Sequence, residues 1–224
     1  MENQRESYRW VIIFLLFLSL FFGSLAMNCV PPLLTEISGE IPLTKAQMGT
    51  VMGVTMLAAL FFAPVGGGMS DKIGCRWAIG AGAVVLALSS ALRSVAYSSS
   101  ALIGYMFALG AGMAIIYANV PKSLGLWVPP NEMARANGIS MAGISVGMAV
   151  GMGISAGYLS PTFGGWRGTM LLLAAFALVM AILWMLFYRD RTGVSADTDQ
   201  QQNFAGNFKK VFKDREIILL AIFY

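Results

Sequence analysis

The residues best suited to chemistry lie in a short run of glycines and charges: Gly67, Gly68, Asp71, Lys72, Gly74 and Arg76. One carboxylate beside two cations, set among glycines that permit a tight turn, suits reversible charge pairing rather than bond cleavage. Asp71 is also able to face the N-terminus of a neighbouring helix, where aligned peptide dipoles stabilise a negative charge. A second charged pair, Glu132 and Arg135, follows Pro129 and Pro130 at a spacing of three and is placed to face Arg76.

What is missing bounds the chemistry further. The chain has no histidine. It shows no run of side chains with metal-ligand spacing and no paired carboxylates for acid–base work, so no catalytic residue, cofactor or metal is expected. The stretch Gly151, Met152, Gly153 lacks the preceding strand and aqueous phosphate site that a nucleotide loop needs. The two cysteines, Cys29 and Cys75, are read at opposite membrane faces, too far apart for a disulfide.

The other candidates are polar or small residues within long apolar stretches. Tyr117, Asn119 and Lys122 lie near Pro121, and Asn119 and Lys122, three apart, share a helical face. If that face lines a cavity, these are substrate-binding residues and Lys122 favours an anion. The alternative is that Lys122 extends to the inner membrane surface as an anchor. Asn28, near the outer end of its stretch, is a further polar candidate for substrate contact, whereas Arg93 reads as an anchor. Gly143, Gly147 and Gly151 recur every four residues and give one helix a flat face for close packing. The run 164–167, ending in Trp166 and Arg167, reads as an interfacial aromatic anchor with a snorkelling arginine.

These residues must be positioned by membrane-spanning helices. The 224 residues are 57% hydrophobic and 12% charged, with a mean hydropathy of +0.70. A soluble domain carries about 25% charged residues, so this chain cannot clothe itself in polar surface. Apolar stretches fall at 10–30, 47–68, 77–96, 101–126, 134–159 and 166–188. Each is long enough for the roughly 30 Å of a bilayer's hydrocarbon. The strands of a membrane barrel are about half that length and alternate in polarity, so the expected fold is an all-α integral membrane protein with a six-helix bundle over 1–188.

From 189 to 216 the chain turns polar and reads as a linker; 217–224 reads as the start of a seventh span, cut short. The net charge of +4 is scattered over the ends of apolar stretches, which argues for the lipid bilayer and against nucleic acid as a partner. With the N-terminus inside, twelve of the fifteen lysines and arginines fall on the cytoplasmic face, together with the linker.

Residues 67–76 resemble the signature loop of the major facilitator superfamily: glycine, three residues, aspartate, a basic residue, any residue, glycine, any residue and a basic residue. Every defined position through Arg76 matches, and only the last basic position that follows it differs, being Trp77. Residues 129–138 and 164–167 are similar to other patterns of that family. The resemblance implies one half of a twelve-helix transporter working by alternating access as a symporter or uniporter. It implies a C-terminal six-helix half as partner and a small-molecule substrate. It also implies gating roles for Gly67, Asp71, Lys72, Gly74, Arg76, Glu132 and Arg135.

There are departures. The fourth span carries Tyr105, Met106 and Phe107 where many members have an arginine, and the fifth lacks the glycine–proline signature of drug/proton antiporters. No aspartate or glutamate stands inside the six apolar stretches, which removes an intramembrane carboxylate for proton coupling from this chain. Residues 127–130 and the polar end of the fourth span resemble branches that move organic or inorganic anions. A receptor or scaffold that shares the fold without transporting is the alternative.

Overall fold

A computed structural model describes residues 2–189, with side chains from Tyr8 onward. The expected linker at 189–216, beyond Arg189 itself, and the expected seventh-span start at 217–224 lie outside the described residues. The elements are α1 (Glu2–Asn28), α2 (Val30–Glu40), α3 (Lys45–Ser94), α4 (Ser99–Trp127), a 3₁₀ turn at Pro130–Glu132 and α5 (Met133–Ile154). A π turn at Ser155–Leu159, the single turn α6 (Ser160–Thr162) and α7 (Trp166–Phe187) complete them. Among the described residues there is helix and turn and no strand. Among the described residues, five stretches are long and apolar enough to cross a membrane: Tyr8–Glu40, Lys45–Ser94, Ser99–Trp127, Pro130–Thr162 and Trp166–Phe187.

Local chemistry sets the boundaries. Pro31 and Pro32 sit in the first turn of α2, where their missing N–H groups cost nothing, and the chain breaks from α1 at Cys29. Thr44 caps α3 reciprocally: its hydroxyl accepts from the Gln47 N–H at 3.2 Å, and the Gln47 side chain accepts from the Thr44 N–H at 2.9 Å. Ser98 caps α4 by accepting from the Ala101 N–H at 3.2 Å. The chain enters α7 through Gly164 and Gly165, at φ 74° and 99°. There the Glu36 carboxylate, from α2, accepts the Trp166 N–H at 2.8 Å and the Ser160 hydroxyl at 2.6 Å. A carboxylate at a helix N-terminus satisfies an otherwise orphaned donor and complements the helix dipole.

The 50 residues of α3 would extend about 75 Å as one straight helix, more than twice a bilayer's hydrocarbon. They do not, because Gly74 takes φ 85° and ψ 161°, outside helical geometry. The run 67–76, expected as a loop, is therefore helical up to Ile73 and turns on this one glycine. Cys75, expected in that loop, begins the next helical part and is buried.

The two parts of α3 flank α4 in opposite senses. Before Gly74, Thr55 lies against Gly110, Gly66 against Ile115, and Asp71 against Lys122, so the numbers rise together. After it, Gly82 lies against Gly112, and Arg93 reaches Met106, so they run oppositely. α7 is antiparallel to the second part: Trp184 Nε1 donates to the Arg76 carbonyl at 3.0 Å, and Arg167 Nη1 to the Ser94 carbonyl at 2.7 Å.

α1 and α5 run parallel, with the carbonyls of Phe17, Phe21 and Leu25 against Gly143, Gly147 and Gly151. Backbones approach this closely only where no Cβ intervenes. The core between these helices is filled by residues such as Leu16, Leu20, Ile79, Leu102, Ile116, Leu173 and Trp184. The outer surface carries large apolar side chains, Met56 at 73% and Leu60 at 70% exposure among them. Water penalises such a surface and lipid accepts it.

Candidate functional site

The antiparallel arrangement collects charge at one end of the bundle. Asp71 ends the first part of α3 and Lys122 lies in the last two turns of α4. Because these helices run parallel, the two side chains meet: Lys122 Nζ pairs with the Asp71 carboxylate and donates to Ser70 Oγ at 3.1 Å. The Ser70 hydroxyl in turn donates to the Gly67 carbonyl at 2.9 Å. Lys72 is exposed at the same end.

Just beyond the Gly74 turn, the Arg76 guanidinium donates to the Met185 carbonyl while the Arg76 carbonyl accepts from Trp184. That reciprocal pair ties α3 to the end of α7. A cation near a helix C-terminus also meets the negative end of its dipole.

Glu132 and Arg135 meet side chains of α1. Glu132 pairs with Arg9 at 3.3 Å, and the Arg135 guanidinium lies 5.3 Å from the centre of the Trp10 ring. Both contacts join α1 to the start of α5. The sequence reading placed these residues opposite Arg76; the structure places α1 at their side, because α1 and α5 run parallel with their N-termini at the same end.

An aromatic seam at this end escaped the sequence reading. Tyr8 and Trp127 are 5.2 Å apart, Trp127 and Tyr188 6.4 Å, and Trp184 and Tyr188 stack at 4.4 Å. The Tyr8 hydroxyl donates to the Phe187 carbonyl, and Ser123 donates to the Tyr188 hydroxyl at 3.2 Å. Trp184 and Tyr188 are one helical turn apart, but Tyr8 and Trp127 are distant in sequence from them and from each other, so helix packing brings the four together.

The polar residues inside the spans have definite surroundings. Asn119 is fully buried, and its amide donates to the Gly66 carbonyl at 3.0 Å and the Ile115 carbonyl at 2.7 Å. Asn119 and Lys122 share a face, and that face lies against the first part of α3. Tyr117 is half-buried. Asn28 is half-buried and donates to the Ser24 carbonyl at 2.8 Å, while Ser24 Oγ donates to the Ile144 carbonyl of α5 at 2.8 Å.

Arg93, read as an interfacial anchor, points inward and is 0% exposed. Its Nη1 donates to the Ala26 carbonyl at 2.9 Å and its Nη2 to Ser90 Oγ at 2.9 Å. Its charge sits at the C-terminal end of α3 and against the end of α1, where carbonyl dipoles supply negative potential without a carboxylate.

At the opposite end, Arg167 donates to Glu40 at 2.9 Å and lies over the rings of Tyr97 and Trp166. It thereby joins α2, the end of α3 and α7. Among the described residues no group of histidine, cysteine or acidic side chains is placed to hold a metal. The geometry supports mechanical coupling of helix ends through charge pairs.

The sequence profile of the Major Facilitator Superfamily matches residues 16–224. A hexuronate transporter from Bacillus subtilis (strain 168) is 24% identical over 180 residues, which are 80% of this chain and 42% of that protein. A probable nitrate transporter, NarT, from Staphylococcus carnosus (strain TM300) is 28% identical over 173 residues, 74% of this chain and 43% of that protein. Its counterpart in Staphylococcus aureus (strain JH9) is 27% identical over 172 residues, with coverage of 74% and 42%. The chain thus spans less than half the length of the curated relatives it matches.

Proposed function

The chain belongs to the Major Facilitator Superfamily, and on that premise we propose that it forms the N-terminal six-span bundle of a transporter. The transporter moves a small organic or inorganic anion across the cell membrane by alternating access. The observation that carries this reading is the turn at Gly74. It divides the second of the five long apolar stretches, Lys45–Ser94, into two antiparallel parts, which supports a reading with six crossings. An even number returns residues near 8 and 188 to the same end, where Asp71, Arg76, Lys122, Glu132 and Arg135 also gather. The cation-rich end is then cytoplasmic by the positive-inside asymmetry.

In this reading residues 1–188 form the bundle, 189–216 the cytoplasmic linker and 217–224 the start of the seventh span, with a second six-helix bundle as partner. The ties Arg76–Met185 and Arg9–Glu132 join helix ends so that the bundle moves as a rigid body, and the Asp71–Lys122 pair closes in only one of the two bundle arrangements. Alternating access consists of two such bodies rocking about a central site. Gly67, Asp71, Lys72, Gly74, Arg76, Glu132 and Arg135 form the inner gate. Lys122 joins them, since its charge is already taken by Asp71. Asn28 and Tyr117, both half-buried, are the polar groups a substrate reaches, and Asn119, two residues after Tyr117, holds α4 against the first part of α3. Gly143, Gly147 and Gly151 keep α1 and α5 in contact as the bundle moves.

The anionic substrate class rests on the names of the relatives, since hexuronate and nitrate are both anions. Those relatives are transporters, and no catalytic role is proposed for any residue. The test is uptake of labelled nitrate and hexuronate into proteoliposomes containing the complete transporter, with proton or sodium gradients imposed in turn to separate symport from uniport. Concentration-dependent, saturable uptake of either anion supports the reading; protein that reconstitutes correctly yet passes no anion refutes it.

A further inference from the structure

Between the second part of α3 and α7, from mid-helix toward the end opposite the charged gate, an apolar groove of ≈ 190 Å³ opens on the apolar outer surface. It is lined by Val84, Ala87, Leu88, Ala91, Ala175 and Leu178. Ala87 is buried within it, whereas Ala175, Val84, Leu88 and Leu178 are exposed. On α7 the positions 167, 171, 175 and 178 follow one another at steps of four, four and three, so Arg167 stands on the same helical stripe as the groove, two turns above Ala175. On α3 the stripe 84, 87, 88, 91 leads up to Ser94, whose carbonyl holds Arg167.

Two turns along α7 from the groove, toward the start of that helix, stands a fixed charge pair. Arg167 is held by Glu40 at 2.9 Å and by the Ser94 carbonyl at 2.7 Å, and lies 4.9 Å from the centre of the Tyr97 ring and 4.4 Å from that of Trp166. Its Nη2 makes no hydrogen bond among the described residues. The Glu40 side chain is 50% exposed. A free guanidinium N–H beside a half-exposed carboxylate, above an apolar channel at bilayer depth, matches a molecule with three parts in the same order. These are an acyl chain, a phosphate and a primary ammonium.

We propose that this groove is a binding site for a phospholipid with an ethanolamine headgroup in the outer leaflet, its acyl chain between α3 and α7, its phosphate on Arg167 and its ammonium on Glu40. The headgroup choice follows from the charge pair. A choline headgroup has no N–H to donate to Glu40, and a glycerol headgroup leaves the phosphate's charge unbalanced beside that carboxylate.

The test uses the full chain reconstituted in phosphatidylcholine vesicles that contain a trace of phosphatidylethanolamine with a photoactivatable acyl chain. After illumination, adducts are mapped by peptide mass spectrometry. Labelling should concentrate on peptides spanning 84–91 and 171–178. Unlabelled phosphatidylethanolamine should compete about two- to five-fold better than phosphatidylcholine or phosphatidylglycerol, the range expected of a solvent-exposed ion pair.

Ala175→Leu fills an exposed part of the groove and should remove most of that labelling. Glu40→Gln should abolish the headgroup preference while acyl labelling persists. Labelling spread evenly over the lipid-facing helices, or competition blind to headgroup, overturns the proposal; the competition arm stands on the unaltered protein if a variant misfolds. Efficient cross-linking of Leu88→Cys to Leu178→Cys between two copies would instead assign the face to self-association and would equally overturn it.

Discussion

Neutralising the two ends of the Asp71–Lys122 pair, singly and together, distinguishes a latch from a substrate contact. The side chains are 45% and 32% exposed, so water screens their attraction, and a pair of this kind contributes about 0.2–1 kcal/mol. That energy shifts an equilibrium between two bundle arrangements by up to about five-fold and leaves folding nearly unchanged. Asp71→Asn and Lys122→Gln should therefore each change the uptake rate and the inward-open population by that factor in the same direction. The double variant should equal either single one, because each removes the same interaction. The half-saturating substrate concentration should stay where it is in all three. The measurements are uptake into proteoliposomes across a substrate series, and alkylation of a Lys72→Cys reporter by an impermeant maleimide. If Lys122→Gln raises the half-saturating concentration more than about tenfold, a loss of some 1.4 kcal/mol, while Asp71→Asn does not, the lysine contacts the anion and the latch reasoning is wrong.

Other residues carry structural predictions. Gly147→Leu places a side chain against the Phe21 carbonyl and should lower stability in detergent by about 1–3 kcal/mol or more through overpacking of α1 on α5; an unchanged thermal midpoint would show that the helices separate freely. Gly74→Ala forces a Cβ into a backbone region at φ 85°, ψ 161° reserved almost wholly for glycine, at a cost of about 1–3 kcal/mol, readable as a lower thermal midpoint or reduced insertion. Arg93→Lys replaces a fork that reaches both Ala26 and Ser90 with a single ammonium and should cost about 1–3 kcal/mol; equal stability of the lysine variant would mean that the planar fork is not used. Glu36→Ala removes the cap on α7 and should cost about 0.5–2 kcal/mol, visible as faster hydrogen exchange at the start of that helix.

Composition and the length of apolar stretches were enough to determine that this is an all-helical membrane chain, because a lipid solvent leaves the backbone few alternatives. The four-residue spacing of Gly143, Gly147 and Gly151 placed them on one helix face, but their partner, the α1 backbone from Phe17 to Leu25, came from the fold. The glycine–aspartate–arginine run marked a turn at the charged end, while the single residue that makes it, Gly74, was visible only in its dihedral angles.

Side-chain partners were decided by tertiary structure. Lys122 meets Asp71 because α4 runs parallel to the first part of α3, and Glu132 meets Arg9 because α5 runs parallel to α1. Arg93 turns inward because the carbonyl of Ala26 and the hydroxyl of Ser90 await it. Periodicity along one helix states which face a residue occupies; what lies opposite depends on the direction and register of another helix, and that is settled by packing.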